Sequence, residues 1–264
     1  VPHRHDGSTD AMFSLREISV SPDQTLLVVC VTDVSELKHA QRAVQDRQAL
    51  LDDELELAAR VQKSLFPERV VENGVEVVSV YLPVLSVGGD YAWVSSHEDD
   101  SVHVIVGDVS GHGIAASLVA NRLVTEAAHY AVADRNPADL LVALNKASLA
   151  LMREPTMFCT VAALRIDVKS RQTCFSGAGH PPAFLARRSG VVEPIYSQHR
   201  ILGILEDIGP PGAGVCWRVE EGDQLIMYTD GLPELRNNAG EMMGYQRRRE
   251  VIRNAIGATG QEMA

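Results

Sequence analysis

The amino-acid sequence predicts an α+β fold built from layers of helices and mostly antiparallel strands. After residue 75 two strand-like runs are followed by two consecutive helical stretches, near residues 114–133 and 138–152, and then by further strand-like runs. Helices that follow one another directly, with strands grouped before and after them, favour an α+β arrangement over alternating βαβ units. Pro137 fits the first turn of the second stretch, where its missing N–H costs nothing.

The strand predictions rest on short apolar runs rich in β-branched residues and bounded by turn formers. These runs are VEVVSVYL, VHVIVGD, FCTVAALRIDV, QTCFSGAG, PAFLAR, VCWRV and DQLIMYTD. A last helix is expected over residues 246–256.

The first 66 residues have a different pattern. Residues 13–33 predict two extended runs joined by a turn at SPDQ. Residues 34–66 contain neither Gly nor Pro, and apolar residues recur there every seven positions, which is typical of a coiled coil or signalling helix. These are Leu37, Val44, Leu51, Ala58 and Leu65. The alternative is a single amphipathic helix that packs on its own domain, because the second seam contains Arg47 and Glu54. Pro67 ends the helix.

Composition narrows the classes of partner. With 24 basic and 35 acidic residues, the chain has a net charge of −11, which disfavours binding to nucleic acid or to anionic membranes. No apolar run is long enough to span a membrane, and no secretory leader opens the chain. The four scattered cysteines form no CxxC pair, so we expect buried thiols in a reducing compartment, the cytoplasm.

Three acids occupy similar places in the sequence, each after an apolar run or a glycine pair. They are Asp90 in VGGDY, Asp108 in GDVSGHGIAAS and Asp230 in MYTDGLPE. Buried carboxylates that converge raise one another's pKa unless a cation meets them. Mg²⁺ or Mn²⁺ would take their oxygens and bring waters, for which the flanking glycines leave room. The alternative at each site is a plain Asp-Gly turn.

Other motifs fit the sequence poorly. GHGIAA matches a loose dinucleotide-binding pattern, but Asp108 lies between the strand and these glycines and would repel a pyrophosphate. Ser110 lacks the GxSxG spacing of a nucleophilic serine, and the chain contains no Walker loop.

Seven segments in order resemble the SpoIIE/RsbU-type branch of the PPM metal-dependent serine/threonine phosphatases, over roughly residues 57–250. They are LAARVQKSLFP, VGGDY, GDVSGHGIAAS, FCTVAALRID, GAGHPPAFL, LGI and GDQLIMYTDGLPELRN. In addition, LLVVCVTDVSELKHAQ resembles the closing strand and exit helix of a PAS sensor domain. The resemblance implies an α-β-β-α sandwich of two antiparallel sheets flanked by helices, and two metal ions, Mn²⁺ or Mg²⁺.

The resemblance also implies roles for individual residues. Asp108 would bridge both metals and the Val109 carbonyl would bind one of them. Asp230 would hold the other ion, and Asp90 would bind metal directly or through its waters. His112 is a candidate acid for the departing oxygen, the alternative being a histidine that fixes its own turn. His180 is expected to brace a loop beside the site.

The same resemblance predicts three domains: a PAS remnant over residues 1–35, a linker helix over 36–66 and a phosphatase domain over 67–264. The expected substrate is a phosphorylated anti-anti-sigma-type (STAS) regulatory protein, with regulation by the N-terminal sensor and a homodimer formed through residues 36–66.

Two departures from the family pattern weigh against full activity. Trp93 stands where the family usually has another Asp, and no Asp-bearing closing segment of the family type follows Gly244. We therefore expect a chain cut short at both ends, whose activity is uncertain. The alternative function is a catalytically impaired signalling module that binds a phosphoprotein partner.

Overall fold

A computed structural model of the chain describes residues 10–21, 24–131, 136–152, 157–210, 212–237 and 239–255. The chain forms two compact units, Val1–Leu57 and Ala58–Ala264. The sequence predicted three domains, with boundaries after residues 35 and 66. These domains and their roles remain predictions. Residues 1–9 of the predicted PAS remnant lie outside the described residues.

The first unit contains an antiparallel hairpin, β1 (Ala11–Ser21) and β2 (Gln24–Asp33), and the start of helix α1 (Ser35–Lys63). Asp33 Oδ1 accepts a hydrogen bond from the Ser35 N–H at 2.9 Å and so satisfies one free donor at the start of α1. Asp10 pairs with Lys38 at 2.8 Å, which ties the strand entry to the first turn of the helix.

The second unit contains ten strands, four helices and the end of α1 within the described residues. The strands are β3 (Arg69–Glu72), β4 (Val75–Val78), β5 (Tyr91–Ser96), β6 (Ser101–Val109), β7 (Cys159–Asp167), β8 (Gln172–Ala178), β9 (Ala183–Ala186), β10 (Val192–Ile195), β11 (Val215–Arg218) and β12 (Gln224–Ile226). The helices are α2 (Ile114–Tyr130), α3 (Pro137–Leu151), α4 (Gly231–Glu234) and α5 (Tyr245–Asn254).

Two antiparallel sheets form the centre of this unit. The larger sheet has the order β11-β8-β7-β6-β5, and the smaller has the order β10-β9-β12. Strand β6 is buried along most of its length, because its two faces lie in different cores. That burial explains why VHVIV is a continuous apolar run rather than an alternating one.

Three apolar cores separate four layers. Ile105 and Val161 of the large sheet pack with α2 and α3 in the first core. Val104 and Phe175, on the opposite face of that sheet, pack against the small sheet in the second core. The outer face of the small sheet packs on Ile252 of α5. The predicted α+β fold with an α-β-β-α sandwich is therefore confirmed.

The element boundaries differ from the predicted ones in a few places. Strand β4 ends at Val78, so the SVYL part of its predicted run is not a strand, and β12 stops at Ile226 instead of continuing to the acid. Helix α5 was predicted over 246–256 and is found over Tyr245–Asn254, with residue 256 outside the described residues. Residues 132 and 133 of the first predicted helix also lie outside them.

The expectation of four buried thiols is wrong. Cys174 and Cys216 lie directly opposite each other on β8 and β11 and form a disulfide, while Cys30 is exposed. Only Cys159 is the buried thiol that the sequence suggested. The pair lies 42 residues apart in sequence, and only the strand register brings its members together. The cytoplasmic location remains a prediction.

Within the described ranges, no helix combines the length and the apolar character needed to cross a bilayer.

We expect the double substitution of Cys174→Ser and Cys216→Ser to lower the free energy of unfolding of the second unit. A crosslink over this separation lowers the conformational entropy of the unfolded chain, which stabilises the folded state by about 4 kcal/mol at most. Both tryptophans, Trp93 and Trp217, lie in the second unit, so urea denaturation followed by tryptophan fluorescence reports on it alone. Cys30→Ser is the control and should leave the midpoint unchanged. A double variant with the midpoint of the unsubstituted protein would contradict the crosslink.

Candidate metal centre

The three predicted acids lie at the termini of three different elements. Asp108 is the penultimate residue of β6, and Asp90 immediately precedes β5. Since Tyr91 pairs with Gly107 in the register of these strands, Asp90 and Asp108 occupy neighbouring positions. Asp230 immediately precedes the short helix α4.

Electrostatics shows that these acids share one environment. Burial and the charges of Asp90, Asp230 and Glu234 raise the pKa of Asp108 to about 7. Burial, together with the charge of Asp230, raises the pKa of Asp90, against a hydrogen bond from Thr229 that lowers it. Among the described residues, the charged groups that raise the pKa of Asp108 are all acids. We call Asp90, Asp108, Asp230 and Glu234 the acidic centre; Glu234 was not among the predicted residues.

Gly89 brings the backbone of the acidic centre into close contact. A Cβ atom at this position would lie 2.1 Å from the Val109 carbonyl oxygen and 3.0 Å from Asp108 Oδ1. The Val109 N–H in turn donates to the Gly89 carbonyl at 3.1 Å. Only glycine permits this approach, and it places a carbonyl oxygen and a carboxylate oxygen side by side.

The GHG loop leads from the acidic centre into α2. Gly111 and Gly113 have φ of +94° and +81°, which favours glycine at both positions. Between them, His112 is exposed and forms an isolated bridge with Gly88. Ser110 Oγ accepts a hydrogen bond from the Phe158 N–H at 2.9 Å, so this hydroxyl fixes the loop.

Gln62 holds the glycine pair from the other side and was missed as a site residue, although its segment was part of the recognised pattern. Its side chain is only 2% exposed in the last turn of α1. Nε2 donates to the Gly88 carbonyl at 2.6 Å, and Oε1 accepts from the Gly88 N–H at 3.0 Å. The feature that marks Gln62 is its burial in an otherwise exposed helix segment. Burial becomes visible only in the folded structure, so the sequence itself contains no such signal.

Trp93, which stands where the family usually has another Asp, is part of an apolar contact and supplies no carboxylate. It is half-buried and packs against the core under α2 and α3, on the same face of β5 as Tyr91.

The donor set of the acidic centre fits a hard divalent cation. All its candidate ligands are oxygens, from four carboxylates and the Val109 carbonyl, which is the chemistry that Mg²⁺ and Mn²⁺ prefer. Across the part of the chain that the structure describes, no three Asp, Glu, His or Cys side chains converge tightly enough to form a ready-made metal site. The fit therefore rests on donor chemistry and on uncompensated negative charge.

Comparison with known proteins identifies related sequences and folds. Residues 98–264 match the family model of Stage II sporulation protein E (SpoIIE). The phosphoserine phosphatase RsbP of Bacillus subtilis is 28% identical over 182 residues, which cover 68% of this chain and 45% of RsbP. The chain thus spans less than half the length of this curated relative.

Solved structures share the fold. The SiaA-PP2C domain of Pseudomonas aeruginosa superimposes with a TM-score of 0.70 at 20% identity, covering 82% of this chain and 87% of that domain. RsbX, solved in complex with magnesium, gives a TM-score of 0.51 at 17% identity, covering 74% of this chain and 81% of RsbX. At these identities the likeness supports the fold alone.

The raised pKa of Asp108 predicts a pH-dependent effect of Asp108→Asn in the cation-free protein. The folded-state pKa of Asp108 is raised from 3.8 to about 7, so between these pH values the folded protein holds a proton that the unfolded chain has lost. The unsubstituted protein therefore becomes less stable as the pH rises through this range. The stability of the variant relative to the unsubstituted protein should therefore increase from about pH 4 to about pH 7 and then level off. Melting temperatures measured in chelator across this range test it. A difference that is independent of pH would contradict the shared environment of the acids.

Proposed function

Since the chain belongs to the SpoIIE family of PPM-type serine/threonine phosphatases, we propose that it hydrolyses phosphoserine or phosphothreonine on a regulatory protein with the help of divalent cations. The observation that carries this proposal is the acidic centre, in which the pKa of Asp108 is raised by burial and by three neighbouring acids. A divalent cation would relieve the repulsion in such a group of like charges, and it would also neutralise charge that develops on a phosphoryl group.

The proposed ligands follow the sequence prediction. Asp108 would contact both of two Mn²⁺ or Mg²⁺ ions, with the Val109 carbonyl on one ion and Asp230 on the other. Asp90 would bind directly or through water. Cations bound there would lower the pKa of a coordinated water and neutralise charge on the phosphoryl oxygens. RsbX, a structural relative, was solved in complex with magnesium, which supports the class of metal.

The chain's own residues have separate tasks in this proposal. The carboxylates of Asp90, Asp108 and Asp230 fix the position of the reacting phosphate by fixing the cations. His112 is exposed at the rim, next to Gly88, where its ring would donate a proton to the departing serine oxygen. Ser110 Oγ accepts a hydrogen bond from the Phe158 N–H, so it holds the loop and has no nucleophilic role here. The proposed reaction needs no covalent phosphoenzyme.

The substrate is proposed as a phosphorylated STAS-type regulatory protein. RsbP is named as a phosphoserine phosphatase, which supports a phosphoserine target for this chain as well. The net charge of −11 disfavours a polyanionic target such as nucleic acid, so the partner is proposed to be a protein.

Regulation through the N-terminal segment is proposed from two observations. Leu37, Val44 and Leu51 of the heptad pattern are exposed on α1, so a second copy of the helix would bury them in a homodimer. Gln62, in the last turn of the same helix, clamps Gly88 two residues before Asp90. A change in the helix end would therefore reach a proposed metal ligand directly. The PAS-like segment before α1 is proposed as the sensor.

A second candidate function is a phosphoprotein-binding module with little turnover. The position of Trp93 favours it, because an aromatic side chain packed in the helix-side core supplies no ligand. The two candidates share a binding site and differ in catalysis.

Substituting Asp108→Asn or Asp230→Asn should reduce Mn²⁺-dependent hydrolysis of a phosphoserine peptide by at least about 100-fold, because several kcal/mol of transition-state stabilisation are lost. Phosphate release at fixed Mn²⁺ is the measurement. Asp46→Asn, at an exposed acid on α1, is the matched control and should leave the rate unchanged. If the unsubstituted chain binds the phosphopeptide but releases no phosphate at any Mn²⁺ concentration, the binding module is the correct reading of the site.

Leu51→Glu should weaken self-association of the chain at least tenfold, since it places a charge in the proposed apolar seam of α1 at a cost above about 1.4 kcal/mol. Sedimentation velocity over a range of concentrations measures this. Glu56→Gln, a change at an exposed position of the same helix outside both seams, controls for general effects on the helix. A monomeric unsubstituted chain at high concentration would refute the homodimer.

A further inference from the structure

His180, which was expected from the sequence only to brace a loop, is a buried histidine close to the acidic centre. His180 is only 5% exposed and follows β8, in the turn that leads to β9. Its Nδ1 is 2.9 Å from the hydroxyl oxygen of Thr160. Thr160 is the residue of β7 that pairs directly with Asp108 of β6. The ring is therefore one strand away from the central acid.

The ring of His180 also lies near the main chain of Tyr228, two residues before Asp230. Burial lowers the pKa of His180 to about 4, so the ring is neutral. The Tyr228 main chain acts in the opposite direction and raises this pKa, as a nearby carbonyl acceptor does. Since Nδ1 contacts Thr160, Nε2 is the nitrogen left for this carbonyl. Nε2 is buried, yet it lies outside normal hydrogen-bond geometry with any described residue.

Tyr228 connects directly to two residues of the site. The next residue, Thr229, donates a hydrogen bond to Asp90, and Asp230 follows it. A chain of contacts thus runs from the strand beside Asp108, through the ring of His180, to the segment that touches Asp90 and carries Asp230. These are the three segments whose separation decides whether cations fit between the acids.

We propose that His180 is a positioning residue: its ring ties β7, which pairs with the strand of Asp108, to the Tyr228–Asp230 segment and so sets the spacing of the acidic centre for divalent cations. Thr160 donates to Nδ1, and Nε2–H is directed at the Tyr228 carbonyl. A buried donor without a well-formed bond is costly, so closure of the segment around bound cations would gain this hydrogen bond. The inference rests on the proposed metal-dependent function, since it concerns the affinity of the same site.

A purely structural role in loop packing is the competing explanation, and the chain offers a matched control for it. His199 is also 5% exposed, and its Nε2 lies 2.9 Å from the Ala213 carbonyl. Its backbone carbonyl accepts from the Gly179 N–H at 3.0 Å, so it braces the same turn that carries His180. The contacts that the structure gives its ring lead away from Asp90, Asp108 and Asp230.

The test measures Mn²⁺ binding to the full chain by calorimetry, and the Mn²⁺-induced rise in melting temperature, for four variants. His180→Phe removes both ring contacts, and Thr160→Val removes one partner at nearly constant shape. His180→Asn keeps an amide near Nδ1, and His180→Gln keeps one near Nε2. We expect His180→Phe to weaken Mn²⁺ binding by about 10- to 100-fold, as loss of a residue behind metal ligands does. The amide variants and Thr160→Val should lie between it and the unsubstituted chain.

The kinetic signature separates positioning from ligation. In His180→Asn, saturating Mn²⁺ should restore most of kcat for the phosphoserine peptide, because the ligands themselves are intact. In Asp108→Asn it should not. His199→Phe should lower the melting temperature without changing the affinity for Mn²⁺.

Each outcome decides the proposal. Unchanged Mn²⁺ affinity in His180→Phe, or in the amide variants and Thr160→Val should His180→Phe fail to fold, overturns it. Equal losses in His180→Phe and His199→Phe also overturn it, in favour of loop packing. If the unsubstituted chain itself fails to bind Mn²⁺, the proposed metal-dependent function fails, and the positioning role fails with it.

Discussion

The confinement of several carboxylates to one partly buried place is the constraint on which the rest of the structure depends. The charges of Asp90, Asp230 and Glu234 raise the pKa of Asp108, and its burial removes water that would otherwise screen them. A fold can hold such a group only if strong apolar packing elsewhere offsets the repulsion. The three cores on either side of the two sheets provide that packing and leave the ends of β5 and β6 to carry charge.

Close backbone packing makes this arrangement possible. The aromatic ring of Tyr91 lies where a Cβ of Gly107 would be, and Gly89 touches the Val109 carbonyl. Both glycines let adjacent segments approach until oxygens from separate elements share one environment. The glycines of this region thus allow close backbone contact as well as tight turns. This explains why small residues flank the acids in the sequence.

Buried polar side chains hold the acidic centre from two directions. Gln62 fixes Gly88 from the end of α1, and His180 contacts Thr160 of β7 and lies near the main chain of Tyr228. Both are neutral groups, which add hydrogen bonds without adding to the charge. In the proposed function the first would transmit a signal from the N-terminal helix, and the second would keep the spacing constant. Regulation and affinity would then act through different residues of one site.

The sequence by itself determined the order of the elements, the α+β class and the identity of the acids, because apolar periodicity, Gly and Pro positions and motif order are local properties. It also predicted that Asp90, Asp108 and Asp230 would need a common partner. Only the tertiary structure decided which residues meet. The Cys174–Cys216 pair, the clamp of Gln62 on Gly88 and the addition of Glu234 all join segments far apart in the chain. Strand register and layer packing create those contacts, and no local pattern encodes them.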